Sequence, residues 1–183
     1  MEIYSLPIPD IKILKPKKFG DHRGYFSETF NEKSLLDLGI NLKFIQDNQS
    51  LSVEKNILRG LHFQSPPFAQ DKLLRCLTGS FLDVAVDIRK NSETYGKFIT
   101  KEISAESFEQ ILVPKGFAHG FLTLEPNTTV LYKVTNYYSA EHDHGLLWND
   151  RDLNIPWGID DDQAILSDKD KIQPTFSELE SHF

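Results

Sequence analysis

Lys72-Leu73-Leu74-Arg75-Cys76-Leu77-Thr78-Gly79-Ser80-Phe81-Leu82-Asp83-Val84-Ala85-Val86-Asp87-Ile88 decides the fold. Two apolar runs of strand length flank Gly79-Ser80, a Gly-X pair that reads as the turn of a tight hairpin. Side chains alternate across a strand, so Leu82, Val84, Val86 and Ile88 share one face, and Phe81, Asp83, Ala85 and Asp87 share the other. A face with two carboxylates is either half exposed or lines a polar cavity. Such mixed faces suit a barrel whose interior holds a ligand.

Further segments of the same kind lie on both sides. Strands are predicted at Ile11–Leu14, Tyr25–Phe30, Lys43–Leu51, Ile57–Gln64, Lys97–Ile103, Glu109–Val113, Gly120–Leu124 and Thr129–Asn136. In the last of these Val130, Tyr132 and Val134 fall together, with Lys133 and Thr135 opposite. Many short strands with a turn roughly every 8–12 residues indicate an all-β sandwich or barrel, not a βαβ sheet. No glycine-rich phosphate loop opens a helix after a strand. One helix is written clearly: Asn31 caps Glu32 to Leu38, and Gly39 stops it. A minor helical segment is expected at Thr175 to Ser181.

The chain has 183 residues, 39% of them hydrophobic, which suffices for one domain over 1–183 with a real core. Twenty basic against 27 acidic residues give a net charge of −7, which argues against a protein that grips nucleic acid. It leaves room for a small phosphorylated ligand held by two or three local cations. The single cysteine, Cys76, excludes a disulfide framework and any multi-thiolate metal site, and its apolar surroundings make it a small buried hydrophobe. No run approaches the about 20 apolar residues that span a bilayer. MEIYSLPIPD is no signal peptide, so a cytoplasmic location with no membrane partner is expected.

His62, in Leu58-Arg59-Gly60-Leu61-His62-Phe63-Gln64, suits a general base because imidazole titrates near neutrality; it equally suits a core histidine satisfied by hydrogen bonds. Strict alternation puts Arg59 and His62 on opposite faces, so both can serve one pocket only if Gly60 marks a bulge or bend. His119 enters a strand after the turn at Pro114-Lys115-Gly116. A metal centre is not expected: Gln64 stands where a second histidine would be needed, and two imidazoles without a carboxylate hold a divalent ion poorly. His142 and His144, in an acidic turn-like segment, read as solvated loop residues. Lys72 near a pocket would stabilise an oxyanion and otherwise is a surface lysine. Arg23, between Phe19 and Tyr25-Phe26, is either a clamp for a base and a phosphate or an ordinary loop residue. Tyr132 is a packing residue or, facing a cavity, a general acid. Asp168 and Asp170 lie in a polar C-terminal segment.

Phe19-Gly20-Asp21-His22-Arg23-Gly24-Tyr25-Phe26-Ser27-Glu28-Thr29-Phe30, Gln46-Asp47-Asn48, Leu58 to Gln64, Asp83 to Arg89, Pro114 to Phe121 and Leu146-Leu147-Trp148-Asn149-Asp150, in that order, resemble the dTDP-4-dehydrorhamnose 3,5-epimerases. The resemblance runs over nearly the whole chain. It implies a cupin-type jelly-roll β-barrel, a homodimer, a nucleotide-sugar substrate and no cofactor. It also implies epimerisation at C3 and C5 of a dTDP-linked 4-keto-6-deoxyhexose, by enolisation next to the ketone. On that resemblance His62 is the base, Asp170 its partner in preference to Asp168, Lys72 the support of the enolate oxygen, and Tyr132 the acid on the opposite face. Arg23 and Arg59 would hold the diphosphate. Phe19, Phe26, Glu28, Gln46, Asn48 and Tyr138 would frame deoxyribose and thymine, some of them across the dimer interface, and His119 would position the sugar. The alternatives are an enzyme inverting one carbon of another 4-keto nucleotide sugar, a non-catalytic sugar-binding cupin, and a metal-dependent cupin.

Overall fold

The computed structural model describes residues 1–180 and 182–183. In chain order it contains β1 (Glu2–Ser5), β2 (Lys12–Lys15), β3 (Phe19–Asp21), β4 (Gly24–Phe26), α1 (Glu32–Asp37), β5 (Gln46–Ser52), β6 (Leu58–Gln64), β7 (Lys72–Thr78), β8 (Ser80–Asp87), β9 (Phe98–Ser104), β10 (Gln110–Val113), β11 (Phe117–Thr123), β12 (Thr128–Val134) and β13 (Asp143–Gly145). Two antiparallel sheets result, in the orders β1-β2-β10-β7-β12-β5 and β13-β6-β11-β8-β9. β3 and β4 stand apart as a two-stranded ribbon.

The alternation in β8 explains how the layers stack. Phe81 and Ala85 pack with Ile13, Leu74, Ile111 and Val130 between the two sheets. Val84, Val86 and Ile88 face the other way, onto Trp148, Leu153, Ile155 and Trp157 of the C-terminal segment. Both faces of the strand are thus covered. Burying a side chain as large as Phe81, which is fully inaccessible, contributes about 1.5–3 kcal/mol. The outer face of the first sheet is covered by α1 and the residues just after it, through Leu35 and Ile40 against Leu14, Leu73 and Leu112. The helix starts where its cap predicts: Asn31 accepts from the backbone N–H of Ser34, and Gly39 leaves the helix at φ +81°.

Gly79-Ser80 is not a hairpin. β7 pairs with β10 and β12 in one sheet, and β8 pairs with β11 and β9 in the other, so the chain turns a corner from sheet to sheet at this point. Gly79 has φ +76°, and a Cβ there would lie 2.4 Å from Thr128 Oγ1. The turn chemistry was legible, but the alternation in each strand is the same whichever sheet it joins.

The remaining differences are at element ends. Strand structure in Tyr25–Phe30 stops at Phe26, because its partner β3 is only three residues long. β1, β3 and β13 carry too few alternating residues to be read from sequence. The C-terminal helical segment is a single 3₁₀ turn at Phe176–Glu178, capped by Thr175; its expected last residue, Ser181, lies outside the described residues. His142 and His144 are not solvated loop residues: both are half-buried, His142 against Phe68 and His144 stacked on Phe63.

Candidate active site

A cavity of about 480 Å³ opens between the two sheets, within the range that suits a small ligand. Its lining is divided by origin. His62 on β6 and His119 on β11 come from one sheet; Lys72 on β7 and Tyr132 on β12 come from the other. Ser167 and Asp170 also line it, and Ile57, Leu58, Ile165 and Leu166 supply an apolar part of the lining.

Arg59 and His62 both line this cavity. The register shows how: His119 pairs with His62 and Phe121 with Arg59, so β6 carries one extra residue between them. Gly60 takes φ +120° at that bulge, and a Cβ there would sit 2.6 Å from Gly120 Cα and 2.8 Å from the His119 carbonyl. Only a glycine lets the strands approach so closely while redirecting Arg59.

His62 Nε2 lies 2.6 Å from Asp170 Oδ1. Asp170 is buried, whereas Asp168 is exposed and pairs with Lys171, so the carboxylate that reaches the imidazole is Asp170. Burial alone would raise the Asp170 carboxyl. The hydrogen bond and charge of His62, the Ser167 hydroxyl at 2.8 Å and the Gly60 N–H outweigh it and hold the group below the usual carboxylate range. An ionised carboxylate only accepts, so His62 Nε2 carries the hydrogen, and Nδ1 is left for the cavity.

His119 is backed in the same way, with Nε2 2.8 Å from Asp83 Oδ2, and both residues are buried. The carboxylates of β8 therefore separate in role. Asp83 faces the cavity histidine, while Asp87 is consumed by Arg89, Ser92 and Thr94 away from it.

On the opposite wall, desolvation pushes the Lys72 ammonium down to about 8, against the opposing pull of Asp143 and Asp83. Lys72 has no ion-pair partner among the described residues. Burial raises the Tyr132 phenol above its ordinary value, with Arg59 pulling the other way, so the phenol is protonated at neutral pH. Arg59 donates to Ser52 Oγ and the Leu51 carbonyl, and it binds no carboxylate among the described residues. That leaves guanidinium hydrogens for an anion.

The other nucleotide candidates lie elsewhere. Gln46 and Asn48 stand on the inner face of edge strand β5, hydrogen-bonded to each other at 2.7 Å, with Asn48 in register with Tyr132. Tyr138 is exposed; its hydroxyl donates to Asp143, which also accepts from Lys169 beside Asp170. Phe19, Arg23, Phe26 and Glu28 are not brought to this chain's cavity. Phe19 and Phe26 are 55% and 68% exposed on the β3–β4 ribbon, Arg23 closes an ion pair with Asp21, and Glu28 accepts from Asn31. Sequence reasoning gave no role to Ser167 or Asp83. Ser167 has no signal beyond a serine in a loop; Asp83 was marked by the polar face of its strand and by its place in the Asp83 to Arg89 stretch, neither of which gives it a role. Among the described residues, no group of three or more His, Cys, Asp or Glu is placed to hold a metal ion.

Comparison with known proteins shows the family. A family model described as dTDP-4-dehydrorhamnose 3,5-epimerase matches residues 5–178. The dTDP-4-dehydrorhamnose 3,5-epimerase of Sinorhizobium fredii is 50% identical over 183 residues, covering 100% of this chain and 93% of the relative. The crystal structure of the Bacillus anthracis enzyme of that name, with TDP and PPi bound, superposes with a TM-score of 0.92 at 50% identity, covering 95% of this chain and 98% of that one. The Legionella pneumophila dTDP-6-deoxy-D-glucose-3,5-epimerase, in complex with dTDP-4-keto-L-rhamnose, gives a TM-score of 0.92 at 40% identity, covering 98% and 94%.

Proposed function

Because this chain belongs to the dTDP-4-dehydrorhamnose 3,5-epimerase family, we propose that the inter-sheet cavity is its epimerisation site, with His62 as base, Lys72 at the enolate oxygen and Tyr132 as acid. The protein is a cupin-fold isomerase. It inverts C3 and C5 of dTDP-4-dehydro-6-deoxy-D-glucose to give dTDP-4-dehydro-L-rhamnose, in dTDP-L-rhamnose biosynthesis, and it binds dTDP-sugar nucleotides.

The observation that carries the assignment of roles is the placement of imidazole and phenol on opposing sheets of one cavity. Inversion at a carbon acidified by the neighbouring ketone needs a proton removed from one face and a proton delivered to the other. His62 Nδ1 takes the C–H proton and becomes an imidazolium, stabilised by Asp170. The electron pair moves to O4 as the enolate, next to the Lys72 ammonium, where one such donor is worth about 3–4 kcal/mol. Tyr132 then delivers its phenolic proton from the far wall, and solvent restores both groups. The same sequence serves C3 and C5 in turn. Arg59 holds the diphosphate.

The exposed aromatics of the β3–β4 ribbon, together with Arg23 and Glu28, support the reading that these residues complete the nucleotide site of a second copy in a homodimer. Sedimentation equilibrium is expected to give about twice the 21.0 kDa chain mass, and a monomer at all concentrations would remove this element.

The test of the chemistry is incubation with the 4-keto sugar nucleotide in D₂O. Two deuterons, at C3 and C5, are expected from the wild type. A single label would mean a mono-epimerase, and none would end the enolisation reading. Tyr132→Phe is expected to retain some exchange while losing inversion, since proton removal survives the loss of proton delivery; full inversion by this variant would remove Tyr132 as the acid.

A further inference from the structure

Asp83 is fully buried, yet only half of its carboxylate is used. Oδ2 lies 2.8 Å from His119 Nε2, while Oδ1 is buried without a hydrogen-bond partner among the described residues. The other buried carboxylates of this region differ. Asp170 meets His62 with one oxygen and Ser167 with the other, and Asp87 spends both on Arg89, Ser92 and Thr94. A desolvated carboxylate with one bare oxygen is costly unless a cation stands nearby. The cation present is Lys72, which starts β7 on the facing sheet, lines the same cavity and has no ion-pair partner of its own among the described residues.

Strand register places the carboxylate beside His119, on the neighbouring strand of the same sheet. His119 pairs with His62 across β11 and β6, and Asp83 on β8 lies opposite Phe121, two residues further along β11. It can therefore reach back to the imidazole with one oxygen, which leaves the second buried on the face that β8 turns toward the other sheet.

We propose that Asp83 is a positioning residue for the epimerisation: one oxygen ties back His119 so that Nδ1 faces the hexose, and the other is the counter-ion that keeps the Lys72 ammonium at the enolate oxygen. The proposal rests on the enolisation reading above. Its consequence for charge is directional. The titratable and charged groups around Lys72 are Asp143 and Asp83, which favour the ammonium, with His62, His119, Arg59, Tyr132 and Asp170 lining the same cavity. Removing the Asp83 charge destabilises the ammonium, so its titration moves below the value of about 8 that it has now.

Asp83→Asn keeps the shape and removes the charge. We expect kcat to fall about 10²-fold, with KM changed less than about threefold. The alkaline limb of the kcat profile should move to lower pH. His119→Gln should leave that limb in place. The double variant should lose less than the product of the single effects, because part of the Asp83 contribution passes through His119. A wild-type kcat and limb in Asp83→Asn, or a reduced kcat with an unmoved limb, would overturn the proposal. Should Asp83→Asn fail to fold, long-range ¹H–¹⁵N spectra of the wild type at alkaline pH still decide it: His119 must carry its proton on Nε2, and an Nδ1–H tautomer refutes the arrangement. Wild-type protein that exchanges no deuterium would sink the enolisation reading instead, and the tautomer would still report on Asp83.

Discussion

His62→Ala abolishes deuterium incorporation at both C3 and C5 and lowers kcat by about 10⁴-fold or more. The size of the effect follows from the absence of a substitute. The other imidazole lining the cavity, His119, is one strand away on the same wall, with its Nε2 tied to buried Asp83. Paired residues of neighbouring strands stand about 5 Å apart, while a misplacement of about 1 Å already costs on the order of 10²-fold in proton transfer. His119 can position the sugar but cannot reach the hydrogens that His62 faces. Arg59 is untouched by the change, so the variant should bind dTDP with near wild-type affinity, and calorimetry checks that the site survives. The decisive measurement is ¹H NMR of the sugar nucleotide in D₂O. Exchange persisting at C3 alone would mean that His119 serves as the base for that carbon. Exchange persisting at both carbons would remove His62 from the mechanism.

How much of this was legible follows from what periodicity encodes. Alternation marked most of the strands and which residues share a face, including the row Val130, Tyr132 and Val134, but not which face turns inward. It also required a bulge at Gly60 if Arg59 and His62 were to share a pocket, and the extra residue is there in the register. Alternation does not encode which sheet a strand joins, which is why Gly79 read as a hairpin when the chain was changing sheets. Nor does it encode what lies far along the chain. Asp170 meets His62 across 108 residues of sequence, and only family resemblance distinguished it from Asp168. Asp83 was legible as a carboxylate on a face either half exposed or lining a cavity, and its pairing with His119 depends on strand order. The aromatic and arginine motif at 19–26 reads as a clamp or as an ordinary loop, and periodicity does not choose; the fold holds it on an exposed ribbon, away from this chain's own cavity.

Asp170→Asn is the second large effect, with kcat expected to fall between about 10² and 10⁴-fold while dTDP affinity changes little. An amide at this position can present either its oxygen or its NH₂ to His62 Nε2. With the NH₂ inward, the ring must put its hydrogen on Nδ1, and the lone pair that takes the C–H proton is lost. Even with the oxygen inward, the imidazolium formed on proton transfer has no negative partner in a buried setting, where a counter-charge matters most. Ser167, which donates to Oδ2, cannot replace that charge. Stability separates this account from a purely structural one. In the wild type the folded-state Asp170 carboxyl sits below its ordinary value of about 3.9, so it adds stability that is fully present above that pH and is lost as the pH falls through the folded-state value. The variant lacks this contribution, so the gap between the two melting temperatures should narrow on acidification below about 4. At neutral pH the variant should still bind dTDP, so the loss of kcat there is read from folded protein. A variant that is folded, binds nucleotide and epimerises at the wild-type rate would show that His62 works without its carboxylate.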